Sequence, residues 1–77
     1  MIAPEPENYT VNGKEVEVNQ GVTTKEDVIK ALGEPTVEMN DALNYQWRAN
    51  GKFYQYVFFF MEADGTFSNV QTTVVKI

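Results

Sequence analysis

The sequence predicts an α+β fold: an antiparallel β-sheet of about four to five strands with one short covering helix, in the order β-β-α-β-β-β. Three observations lead there. Asn12-Gly13 and Asn50-Gly51 each sit between runs of alternating polarity, the strongest short-range signal for a two-residue hairpin. Only one segment, Gly21–Pro35 (GVTTKEDVIKALGEP), carries a helix start, an apolar stripe and a helix stop together. Finally, 77 residues allow a single domain, and a chain this short buries only about 60% of its unfolded surface.

Residues 1–8, with the Pro-Glu run Ala3–Glu7, read as a flexible N-terminal tether, and 9–77 as the folded domain. Tyr9–Val18 (YTVNGKEVEV) alternates around its turn, so Val16 and Val18 face one way and Glu15 and Glu17 the other. Asn19–Gly21 breaks the strand. In the helix, Thr23 with Glu26 forms a capping box, and Thr24 with Asp27 offers a second register. Val28, Ile29 and Leu32 make the apolar stripe. Gly33 suits the residue beyond the helix end, and Pro35 forbids continuation. About nine helical residues are unstable alone in water, so this helix must dock on an apolar surface.

Thr36–Met39 is either a short strand or an irregular link. Ala42–Ala49 (ALNYQWRA) alternates up to the second Asn-Gly turn. Lys52–Glu62 (KFYQYVFFFME) is apolar on both faces and is expected to be central and longest. Asp64-Gly65 turns the chain into a Thr- and Val-rich return strand, Thr66–Ile77.

A two-residue loop at Asn50-Gly51 pairs Trp47 with Tyr54, Tyr45 with Tyr56 and Leu43 with Phe58. Those residues and Phe60 therefore share one face. The other face carries Phe53, Val57, Phe59 and Met61, interleaved with Asn44, Gln46, Arg48 and Gln55. One helix covers one face. The pattern leaves open whether its stripe sits over Val57, Phe59 and Met61, the assignment expected here, or over Leu43, Trp47, Phe58 and Phe60. Either the N-terminal hairpin folds over the remaining aromatic surface, or that surface is left for a partner.

Eleven acidic residues against six basic ones give a net charge of −5, which argues against binding a nucleic-acid backbone. No run reaches the ~18 apolar residues of a membrane-spanning helix, so no direct membrane insertion is expected. With no His and no Cys, imidazole–metal, Ser-His and Cys-His sites are excluded. Asp64-Gly65 reads as turn chemistry, and MEADGTF lacks the spaced ligands of a calcium loop. No enzyme, cofactor or metal is expected.

The segment GVTTKEDVIKALGEP resembles the Gly-x-Thr-Lys-x-x-Val-x-x-x-Leu-Gly-x-Pro helix of small bacterial envelope proteins of the SmpA/OmlA type and of the wider β-lactamase-inhibitor-protein-like fold. NYQWRANGKFYQYVFFFMEADGTFSNV is similar to that group's aromatic strand, hydrophobic strand and Asp-Gly turn. Two departures stand out. Thr23-Thr24 adds a residue before Lys25, and a hairpin stands where outer-membrane assembly lipoproteins carry a helix. The resemblance implies a non-catalytic module, extracytoplasmic or envelope-associated, that binds another protein through its sheet; a native start Met would instead place the chain in the cytoplasm. It further implies Val28, Leu32, Gly33 and Pro35 as helix and stop, Trp47 and Phe59 as core, and Gly65 as turn.

The expected contact face is Tyr45, Trp47, Tyr54 and Tyr56, with Arg48 beside it, because Tyr and Trp bring large area with a polar tip. The alternatives are a proteinaceous enzyme inhibitor, whose turn residues Asn50, Gly51 and Asp64 would enter a cleft, and a homodimer formed through an open face.

Overall fold

A computed structural model describes residues 5–77. Its order is β1 (Glu7–Val11), β2 (Lys14–Val18), α1 (Lys25–Leu32), β3 (Val37–Met39), β4 (Ala42–Ala49), β5 (Lys52–Phe60) and β6 (Phe67–Lys76). The strands form two antiparallel sheets, the hairpin β1-β2 and the four-stranded β3-β4-β5-β6. Thus the fold is α+β with the predicted element order. The expected tether loses its last two residues to the fold, because β1 begins at Glu7, paired with Val18. Residues 1–4 of that tether lie outside the described residues.

Both Asn-Gly pairs make the expected turns. Asn12 and Gly13 have φ of 50° and 83°, Asn50 and Gly51 of 54° and 70°, the left-handed values that a tight hairpin loop needs. The second turn sets the predicted register, with Trp47 opposite Tyr54, Tyr45 opposite Tyr56 and Leu43 opposite Phe58. As expected, β5 is central. The longest strand is β6, because β5 stops at a register shift at Phe59/Phe60.

The helix uses the second capping register. Thr24 caps it, and its backbone and side chain exchange hydrogen bonds with Asp27. Thr23 is instead buried, and its Oγ1 accepts from the Asn19 N–H at 2.7 Å. It belongs to a loop that crosses to the start of β6, where the Phe67 N–H donates to the Thr23 carbonyl at 2.6 Å. At its first turn, Lys25 pins the helix to the β3–β4 turn, donating to the Met39 carbonyl at 2.8 Å and pairing with Glu38 at 3.3 Å.

The helix stripe does not rest on Val57, Phe59 and Met61. Val28 and Leu32 join one core with Leu43, Tyr45, Phe58, Phe60 and Phe67, together with Val11, Val16 and Val18 from the hairpin. Helix and hairpin therefore cover the same face side by side. The hairpin folds back because Val16 and Val18, two residues apart on one face of β2, need an apolar surface as much as the helix does. The opposite face carries Val37, Met39, Val75 and Met61, all 40–48% exposed. The aromatic pair Phe53 and Phe59 is only half-buried there. Phe59 is thus not a core residue as the resemblance implied; it lies on the open face.

Candidate functional site

The covered face is not covered evenly. At one end of β4 and β5, past the hairpin and the end of the helix, Trp47, Tyr54 and Tyr56 remain half-buried. Trp47 and Tyr54 are hydrogen-bond-register partners, and their rings lie parallel, 5.0 Å apart at an interplanar angle of 4°. This is the offset stacking that aromatic quadrupoles favour. Tyr56 tilts against Trp47 at 5.1 Å and meets the edge of Tyr9, from β1, at 6.1 Å. The four rings form a shelf whose inner side rests on Phe58 through Tyr9. Its outer side is Trp47 and Tyr54.

Beside the shelf opens a pocket of about 320 Å³ between the β1–β2 turn, the end of the helix and β4. Its walls include Lys14, Gly33, Glu34, Tyr45, Gln46 and Trp47. Trp47 is therefore common to shelf and pocket. The sequence reading missed the pocket, since its walls come from three segments whose meeting depends on where the hairpin folds. The one signal in the sequence was Gly33-Glu34-Pro35, a helix exit that turns the chain sharply beside β4.

Two of the five expected contact residues are displaced from the shelf. Tyr45 is 5% exposed, and its hydroxyl donates to the Gly33 carbonyl at 2.9 Å. It closes the helix end onto the sheet and contributes only a small part of the pocket wall. Arg48, one residue out of phase with Trp47, projects exposed from the open face. Trp47, expected as core from the family resemblance, is instead half-buried at the rim.

The pocket wall carries one charged side chain of each sign, Lys14 and Glu34. Tyr45 is pushed up to about 12 by burial first and then by the charges of Glu34 and Glu38. Tyr9 is likewise pushed up to about 12, by burial and then by the hydrogen bond from its hydroxyl to Glu7 at 2.8 Å. A tyrosine whose folded pKa exceeds its unfolded value stabilises the fold fully below about pH 10, and that contribution is lost as the pH rises to about 12. The urea midpoint should therefore fall between about pH 10 and pH 12, and less steeply in Tyr45→Phe. Equal slopes in the two proteins would refute the assignment to Tyr45.

Among the described residues, no group of three or more acidic side chains lies close enough to hold a metal ion, and no helix is long and apolar enough to cross a membrane. Comparison with protein-family models, with curated proteins and with solved structures found no match to this chain.

Proposed function

We propose that this chain is a non-catalytic protein-binding module that receives another protein on the Trp47–Tyr54 shelf and in the pocket beside it. One observation carries the reading: a stacked Trp–Tyr pair stands half-buried beside a 320 Å³ pocket, while Tyr45, Phe58, Phe60 and Phe67 on that face are buried. Such pairs are the residue types that anchor interfaces, because they bury large area at low cost in side-chain entropy. The partner surface presents a basic side chain beside an apolar one. An Arg or Lys meets the face of Trp47 as a cation–π contact with Glu34 nearby, and the net charge of −5 draws a basic surface in.

A location outside the cytoplasm, in the bacterial envelope, rests on the similarity of Gly21–Pro35 to envelope proteins. The inhibitor reading is favoured by one feature. The Asn50-Gly51 tip stands at the end of the two strands that carry the stack, a preformed turn next to aromatic anchors.

The test is capture from envelope and cytosolic fractions by immobilised wild-type chain, compared with Trp47→Ala/Tyr54→Ala and with Arg48→Ala from the opposite face. A specific partner should be lost at least tenfold with the double variant and retained with Arg48→Ala, both variants keeping the wild-type circular dichroism. Retention by the double variant would remove the shelf from the contact surface.

A further inference from the structure

The four-stranded sheet has two edges, and they differ. Edge strands expose unpaired N–H and C=O groups, which proteins blunt with short length, charge, proline or a covering segment. β3 is short and charged, with a proline just before it. It spans only Val37–Met39, follows Pro35, and carries Glu38, which pairs with Lys25. β6 is shielded only at its start. There the Gly21 N–H donates to the Phe67 carbonyl at 3.0 Å, the Phe67 N–H donates to Thr23, and Gln20 Nε2 donates to the Ser68 carbonyl at 3.0 Å.

Beyond Ser68 the edge is bare. The Ser68 carbonyl points outward to Gln20, and the Ile77 N–H points inward, donating to the Gly51 carbonyl at 3.0 Å. Backbone groups of alternate residues face opposite edges. Val70, Thr72, Val74 and Lys76 therefore turn both their N–H and C=O groups away from β5. The side chains of Thr72, Val74 and Lys76 are exposed, while Val70, nearest the shielded start, is partly buried against the core. Among the described residues no hydrogen bond reaches the outer backbone groups beyond Ser68. From Asn69 to Val75 the strand carries no charge, no proline and no glycine.

We infer that the outer edge of β6 is a self-association site, pairing antiparallel with the same edge of a second copy so that two four-stranded sheets become one. Two observations favour a second copy over a foreign strand, and a third removes an obstacle to it. Molecules of charge −5 repel, but Asn69–Val75 is an uncharged stretch along which two copies approach without opposing like charges. An antiparallel strand is self-complementary about a two-fold axis, which sets Thr72 opposite itself or opposite Val74 and closes the assembly at two copies. Recognition of a foreign strand takes its specificity from pockets beside the edge, whereas the pocket here lies by β4 and the helix end, across β5 from β6. Pairing supplies up to about eight backbone hydrogen bonds. It uses a surface other than the Trp47–Tyr54 stack and does not rest on the protein-binding reading.

Sedimentation equilibrium over a concentration series tests this. The wild-type chain should reach twice its 8.8 kDa mass and go no further. Thr72→Pro removes an outward-facing N–H and leaves the β5–β6 ladder intact, which an edge strand tolerates. It should keep the wild-type circular dichroism and raise the dimer dissociation constant tenfold or more. Val74→Lys, a charge at a half-exposed position, should do the same without touching the backbone, and it decides the matter if Thr72→Pro unfolds. A wild-type chain monomeric at every concentration, a mass that grows past two copies, or a Val74→Lys variant that dimerises like wild type would each overturn the inference.

Discussion

Phe58→Ala is expected to destabilise the chain by about 3–5 kcal/mol, which lowers the urea midpoint by roughly 2–4 M. Phe58 has no exposed surface. Its ring meets the edge or face of Tyr45 at 5.9 Å, Tyr9 at 5.8 Å and Phe67 at 6.4 Å. It is the residue on which β4, β1 and β6 converge, so truncation leaves a cavity that no single element can close. Domains have only about 5–15 kcal/mol to lose, and one this small sits at the lower end. The variant should therefore be largely unfolded at modest denaturant. Phe59→Ala removes the same atoms one position along, from the open face, where the ring is half-buried. It should lose less than half as much. Equal losses would contradict the assignment of helix and hairpin to the Phe58 face.

The second large effect is at the end of the helix. Gly33→Ala should cost about 1–3 kcal/mol, because Gly33 sits at φ 85°, ψ −168°, a region that is essentially closed to residues with a Cβ. For a chain of this size, each kcal/mol lowers Tm by about 4–8 °C. The added Cβ would lie 3.4 Å from Lys14 Nζ, the far end of a flexible side chain that can swing into the pocket. Backbone strain rather than collision sets the loss. Gly33 is also held at both ends: its N–H donates to the Ile29 carbonyl at 2.7 Å, and its own carbonyl accepts from Tyr45. Strain relieved there loosens the joint between helix and sheet. A thermal melt of Gly33→Ala with and without Lys14→Ala separates the causes: strain predicts no rescue by Lys14→Ala, and recovery of the wild-type Tm would show a steric clash instead.

Local chemistry was legible in the sequence, and tertiary placement was not. The Asn-Gly turns specify their own dihedral angles, so the register of β4 with β5 could be read residue by residue. The helix limits followed from caps and stops, but Thr23 and Thr24 are equivalent as local caps. The choice fell to Thr24 because Thr23 is drawn into the loop that meets Asn19 and Phe67. Alternation separated the two faces of the sheet without saying which one the helix covers, since both carry large apolar side chains. Amide distribution was the deciding signal, present in the alternation but given too little weight against Val57, Phe59 and Met61. Asn44, Gln46, Gln55, Asn69 and Gln71 all belong to the open face, while the covered face of β4 and β5 carries none. Tyr45 and Trp47 have the same local pattern, and only the position of Gly33 makes one a buried strut and the other a rim.

Fluorescence of Trp47, the sole tryptophan, bears most directly on whether a docking surface stands open in the lone molecule. In dilute wild-type protein its emission should be intermediate between buried and free indole, and acrylamide should quench it readily. A blue-shifted emission that resists the quencher would mean the ring is already sealed inside the isolated chain, leaving nothing on that shelf for a partner to grip.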